Sequence, residues 1–170
     1  SFGSGVTIPG TGILLDNQMN NFAYQHGNPE VIDRSASIGN RFEPGKRPMS
    51  TMTPIIVFDE NNQLKLITGS PGGALIPAAV LRVVTGVIDF DLNLGEATML
   101  PRLHKDWPYE NLRLEKGFSK DTLQILASYG HELEESKTMG STQSILISSK
   151  GNEGFADLRR PNAGVAFQID

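Results

Sequence analysis

Ile67-Thr68-Gly69-Ser70-Pro71-Gly72-Gly73-Ala74 is the stretch on which the fold turns. An extended apolar run enters it, a long apolar run with helical character leaves it, and glycines, a proline and a serine make the join. That layout is an anion cradle. Without a Cβ, Gly72 and Gly73 can take positive φ, let another group approach the backbone, and leave their N–H groups aimed at a negative charge. The following helix adds unpaired N-terminal donors and the positive end of its dipole. Such a cradle binds a phosphate, a carboxylate or the oxyanion of acyl transfer. A tight strand-to-helix turn that needs glycine for geometry alone has the same sequence. No lysine stands where a phosphate-binding loop needs one, which leaves an oxyanion or carboxylate site as the functional reading.

Outward from the cradle the elements alternate. Upstream, Ile55–Phe58 and Leu64–Thr68 flank the turn 59–63 and read as a hairpin. Downstream, Ala74 to Ile88 carries a single charge, Arg82, so the helix is expected to be buried on nearly all sides, with Pro77 tolerated in its first turn. Asn93 with Glu96 forms a capping-box pattern for a short helix stopped by Pro101, and Leu112–Leu114 reads as a short strand. Ser119 caps a third helix that ends at Gly130. Strands are expected at 144–147 and 154–156, ahead of Asp157-Leu158-Arg159-Arg160-Pro161.

Toward the start, Gly3, Gly5, Pro9, Gly10 and Gly12 make an exposed loop, and Gly12 to Asp16 reads as a short buried strand. Asp16-Asn17-Gln18-Met19-Asn20-Asn21 is either a solvated turn or the lining of a polar pocket, since amides offer both donors and acceptors. From Ala23 to Pro48 the pattern dissolves into a loop of the length associated with lids. Ser50 and Thr51, framed by Pro48 and Pro54, are adjacent hydroxyls able to hydrogen-bond a substrate carboxylate.

The 170 residues fit one domain spanning 1–170. A net charge of −4 without a basic stripe argues against nucleic acid as a partner. The chain has no cysteine, which excludes disulfide and thiolate chemistry. No run is long enough to span a bilayer. His26, His104 and His131 are scattered without a second ligand at metal spacing, so no metal or cofactor is expected. The opening Ser1-Phe2-Gly3-Ser4-Gly5 reads as the interior of a longer or processed chain.

Four blocks together carry a resemblance: Pro9 to Leu15 with Asn17-Gln18-Met19, Lys46 to Met52, Gly69 to Gly73, and Met139-Gly140-Ser141-Thr142-Gln143-Ser144. In order and spacing they resemble the small subunit of γ-glutamyltransferases over essentially the whole chain. The resemblance implies an α+β N-terminal-nucleophile hydrolase with a four-layer αββα sandwich. It implies a precursor that cleaves itself into a large and a small subunit, with the new N-terminal Thr as nucleophile and its α-amino group as base. By the same resemblance Gly72 and Gly73 form the oxyanion hole, Ser50 and Thr51 bind the α-carboxylate of a γ-glutamyl substrate, and Gln18 and Asn21 bind its α-amino group. The loop 23–48 corresponds to the lid. The implied reaction passes from a γ-glutamyl amide such as glutathione, through a γ-glutamyl ester, to water or an acceptor amine. The implied partner is the large subunit, and bacterial members are often periplasmic or secreted.

Two departures qualify the expectation. Ser1 aligns about twenty residues into the family's small subunit, a hairpin's length, so the Thr and first strand fall outside this chain, which alone is expected to be inactive. Asn21 stands where the family usually has Asp, which weakens selection for a free amine and opens the reading of a glutaryl-type amide acylase. A non-catalytic homologue or fragment is the reading from another class.

Overall fold

The computed structural model describes residues 3–22, 38–50, 52–106 and 111–167. The chain divides into two units, Ser1–Ser50 and Thr51–Asp170.

In the first unit the glycine-rich start folds back on itself. Ser4 N–H donates to Leu15 C=O at 2.8 Å and Ile8 N–H to Ile13 C=O at 2.9 Å, leaving one bridge, Thr7 to Leu14. The buried strand expected at 12–16 is not formed. Ile13, Leu14 and Leu15 are all exposed, and among the described residues of this unit the segment pairs with its own preceding residues alone. A 3₁₀ turn, Gln18–Asn21, follows, and Phe22 is buried edge-on against Phe42 with ring centroids 5.3 Å apart. The lid reading at 23–48 falls outside the described residues from 23 to 37.

The second unit is built around the expected hairpin. Strands β1 (Ile55–Phe58) and β2 (Leu64–Gly69) pair antiparallel, β2 pairs with β6 (Gln143–Ser148), and β6 with β7 (Gly151–Ala156), giving a four-stranded sheet. Helices α1 (Ile76–Ile88) and α2 (Leu94–Met99) cover one face of it. Side chains alternate across a pleated sheet. The registered row Val57, Leu66, Leu146 therefore faces the helices and joins Val83, Val87, Leu94 and Ala97 in the core. The neighbouring row Ile56, Ile67, Ile145 faces the other way, with Ile56 58% and Ile145 46% exposed.

Helix α1 is less enclosed than its composition suggests. Ile76, Ala79, Val80, Val83 and Val87 are buried, but Leu81 is 60% exposed and Ile88 is also exposed. With the sheet on one side only, a single face is covered. The Asn93–Glu96 capping box of α2 forms in full. Ser119 accepts the Thr122 N–H at the start of α3 (Lys120–Ser128).

A second sheet has the order β3 (Leu103–His104), β4 (Asn111–Leu114), β5 (Glu132–Glu135). Helix α3 connects β4 to β5, which pair in parallel, as a crossover helix permits. Strand β5 escapes a reading by propensity because it holds one apolar residue among three glutamates. Its charges suit a sheet edge. The α+β class expected from the sequence is the class observed. Among the described residues no helix is long and apolar enough to cross a membrane.

Candidate functional site

The cradle begins where β2 ends. Thr68 Oγ1 and Ser144 Oγ, cross-strand neighbours, share a buried hydrogen bond of 2.8 Å at the foot of the loop. The chain then turns through Ser70 and Pro71 into two glycines with positive φ, +146° at Gly72 and +58° at Gly73. A 3₁₀ turn, Gly73–Leu75, leads directly into α1.

Two consecutive peptide units carry the N–H groups of these glycines, and each is held by its carbonyl. Gly72 C=O accepts from Leu75 N–H at 3.1 Å. Pro71 C=O accepts from Ser70 Oγ at 2.8 Å. In a planar trans peptide the N–H points opposite to the C=O, so fixing each carbonyl aims the N–H on its far side. Among the described residues neither the Gly72 nor the Gly73 N–H has a hydrogen-bond partner. The pair places two backbone donors just ahead of a thirteen-residue helix, the arrangement an anion cradle requires.

The block Met139–Ser144 braces this loop. Ser141 N–H donates to Ser70 Oγ at 2.9 Å. Gly140, at φ +70°, passes so close that a Cβ there would stand 2.7 Å from Ser70 Oγ and 3.0 Å from the Ala79 methyl.

The brace is in turn fixed by four buried charges that the sequence reading did not single out. Arg102 donates to Asp157 Oδ2 at 2.7 Å, to Thr142 Oγ1 at 3.2 Å and to the carbonyls of Met139 and Thr98. Asp157 Oδ2 also accepts Thr142 N–H at 3.0 Å, and Glu115 accepts the Met139 N–H. Arg159 binds Glu115 at 2.7 Å and donates to the carbonyls of Thr98 and Leu100 at the end of α2. Two cations meet two anions, so the cluster is neutral and its polar atoms are largely satisfied. Burial lowers the pKa of Arg102, a shift only partly offset by Asp157. Burial alone would raise that of Asp157, but the Arg159 backbone N–H, the Arg102 guanidinium and the Thr142 N–H together hold it below the usual carboxylate value. For Arg159 burial is outweighed by Glu115, and its pKa is raised. Asp157 and Arg159 pair two residues apart at 3.2 Å, but Arg102 lies 55 residues from Asp157 and Arg159 44 from Glu115, so no local pattern marks the cluster.

The remaining candidates lie in the first unit, apart from Thr51, which lies outside the described residues. Gln18 and Asn21 sit on the 3₁₀ turn, which starts with Asp16 Oδ1 accepting the Gln18 N–H at 2.9 Å. Asn21 Nδ2 donates to Met49 C=O at 3.2 Å, and Asn40 bonds both Asn21 C=O and Met49 N–H. These bonds bring Asn21 to the residue next to Ser50. A carbonyl only accepts, so it is the amide nitrogen of Asn21, not its Oδ1, that faces Met49.

The family model described as Gamma-glutamyltranspeptidase matches residues 1–167. The glutathione hydrolase proenzyme of Escherichia coli (strain K12) is 44% identical over 151 residues, 89% of this chain and 26% of that protein. The chain spans about a quarter of the length of the curated relatives it matches. The crystal structure of the T380A mutant of Helicobacter pylori gamma-glutamyltranspeptidase superposes with a TM-score of 0.80 at 38% identity, covering 94% of this chain and 88% of that one. Cephalosporin acylase from Bacillus halodurans superposes with a TM-score of 0.78 at 29% identity, covering 100% of this chain and 30% of that one.

Proposed function

The chain belongs to the gamma-glutamyltranspeptidase family, and on that premise we propose that it is part of an enzyme that hydrolyses or transfers the γ-glutamyl group of glutathione and related γ-glutamyl amides. The observation that carries the reading is the pair of N–H groups at Gly72 and Gly73, unpartnered among the described residues and each aimed by a pinned carbonyl. Attack by the N-terminal Thr of the processed subunit on the γ-carbonyl develops a negative oxygen, and the two donors stabilise it. A preorganised donor of this kind is worth about 2.7–4 kcal/mol in the transition state. Collapse expels the amine and leaves a γ-glutamyl ester, which water or an acceptor amine then attacks through the same oxyanion. Ser50 and Thr51 take the substrate α-carboxylate, and Gln18 and Asn21 its α-amino group.

The partner is the large subunit of the same precursor. The row Ile56, Ile67, Ile145 supports it: Ile56 and Ile145 are exposed and Ile67 between them is half-buried, so a sheet with helices on one face offers an open apolar strip on the other, as half of a sandwich would.

A second reading, a glutaryl-type amide acylase on the same scaffold, is favoured by one observation. Asn21 is neutral and spends its amide on Met49, so it presents an acceptor but no charge to a substrate ammonium. Hydrolysis of two matched anilides by the processed enzyme containing this chain decides. Faster turnover of the γ-glutamyl compound supports the first reading, faster turnover of the glutaryl compound the second, and no turnover of either removes both.

A further inference from the structure

The glycines that let the cradle accept an anion also remove the side-chain restraint at Gly72 itself. Rotating the Pro71–Gly72 peptide changes ψ of Pro71 and φ of Gly72. At a residue without a Cβ, already at φ +146°, no side chain opposes that rotation. The freedom at Gly72 leaves a role for a hydrogen bond that holds its N–H on its line.

We propose that Ser70 is the positioning residue that does so, acting through the Pro71 carbonyl. The proposal rests on the acyl-transfer reading above. Ser70 Oγ donates to Pro71 C=O at 2.8 Å and accepts Ser141 N–H at 2.9 Å. The second bond sets the first. With a backbone donor on one of its lone pairs, the hydroxyl directs its single proton to the Pro71 oxygen. The peptide is planar and trans, so the Gly72 N–H on its opposite edge is fixed as well.

Ser141 is a dependable donor because its segment cannot drift. Met139 and Thr142, on either side of it, are tied to Glu115, Arg102 and Asp157. Gly140 admits the close approach, since any Cβ at that position would meet Ser70 Oγ at 2.7 Å. A line of contacts thus runs from the buried charges through Ser141 and Ser70 to the Gly72 donor.

Oxyanion donors act on the transition state and leave ground-state binding alone, so mis-aiming one lowers kcat and kcat/KM together. In the processed enzyme Ser70→Ala is expected to lower kcat on a γ-glutamyl anilide by about 10–100-fold, less than the loss from deleting a donor outright, with KM within about twofold. Ser70→Thr, which keeps the hydroxyl, is expected to recover kcat to within about threefold, and Ser70→Cys, a weak donor, to fall between. Gly140→Ala, which displaces Ser70 Oγ from the other side, is expected to reproduce the kcat-selective loss. If Ser70→Ala does not fold, the Thr and Cys variants carry the test, and a cysteine variant with the kcat of the unaltered enzyme overturns the proposal. A Ser70→Ala enzyme that keeps its kcat, or loses efficiency through KM alone, overturns it as well and leaves the acyl-transfer reading standing. If the unaltered enzyme turns over neither anilide, that reading fails and this inference with it.

Discussion

The Arg102 guanidinium and the Asp157 carboxylate meet at 2.7 Å with their side chains 2% and 0% exposed. Breaking a buried pair by removing one partner leaves an uncompensated charge, at a cost of about 3–5 kcal/mol. Asp157→Asn is therefore expected to destabilise the protein by about 3 kcal/mol in urea unfolding, since Arg102 stays buried with one anion fewer. Replacing both, Arg102→Leu with Asp157→Asn, should cost less than the sum of the single changes, the double-mutant signature of a direct pair.

The same carboxylate sets a pH dependence. Its folded pKa is depressed, so its contribution is complete above the unfolded value of about 3.9 and is lost as pH falls through the lower folded value. The stability gap between the unaltered protein and Asp157→Asn should stay constant from neutrality down to about pH 5 and close below about pH 4. Melting temperatures of the two proteins across pH 2–7 would show it; a gap unchanged at the acid end would mean that another group governs acid unfolding.

The two cradle glycines should respond differently to a methyl. Gly72, at φ +146° with Gly140 Cα 3.4 Å from a built Cβ, sits where L residues are excluded, whereas Gly73, at φ +58° with nothing within 4 Å, sits in the left-handed region. Gly73→Ala is expected to cost about 1–2 kcal/mol of stability and to fold. Gly72→Ala should remove turnover, because its conformation cannot be kept and the donor moves with it. Comparing kcat and melting temperature of the two variants tests this; equal behaviour would show that the backbone geometry at 72 is not required.

Local signals made much of this architecture legible. The hairpin around 59–63, the Asn93–Glu96 box, the Ser119 cap and the glycine pair each announce themselves within a few residues, and each is present. What failed depends on partners distant in sequence. Whether Ile13–Leu15 is covered, or which face of α1 meets a sheet, is decided by what packs there, and composition does not encode it. Strand β5 exists because β4 offers it an edge. The charged cluster was invisible for the same reason: Arg102 finds Asp157 and Met139 only once the strands have brought them together. The Met139–Ser144 block stood out in the sequence as a motif, yet its place behind the cradle emerges only through Ser70.

Asn21 offers a change of preference with a visible side cost. Asn21→Asp supplies a charge for a substrate ammonium but faces an oxygen, in place of Nδ2, toward Met49 C=O. In the processed enzyme the ratio of kcat/KM for γ-glutamyl over glutaryl anilide is expected to rise about 10–100-fold, the range of a partly screened charge pair. Stability should fall by about 1 kcal/mol through the lost hydrogen bond. An unchanged ratio would remove residue 21 from substrate selection.

The outward-facing isoleucine row makes a prediction about assembly. Ile56, Ile67 and Ile145 are registered neighbours on three strands. Next to Ile145 on β7 is Gly154, whose outer side is already filled by Val165. This apolar strip should form the seam with the large subunit. Burying an isoleucine is worth about 1.5–3 kcal/mol, and an unpaired carboxylate in the seam costs more than that gain. Ile56 is 58% exposed, so in this chain Ile56→Asp leaves the core row of Val57, Leu66 and Leu146 intact; its effect should fall on docking. Co-expression of the two subunits, followed by measurement of the fraction that co-purifies, is expected to show near-complete loss for Ile56→Asp and a partial loss for Ile56→Ala. Full recovery of the Ile56→Asp assembly would place the seam elsewhere and leave the bare face of the sheet without its assigned occupant.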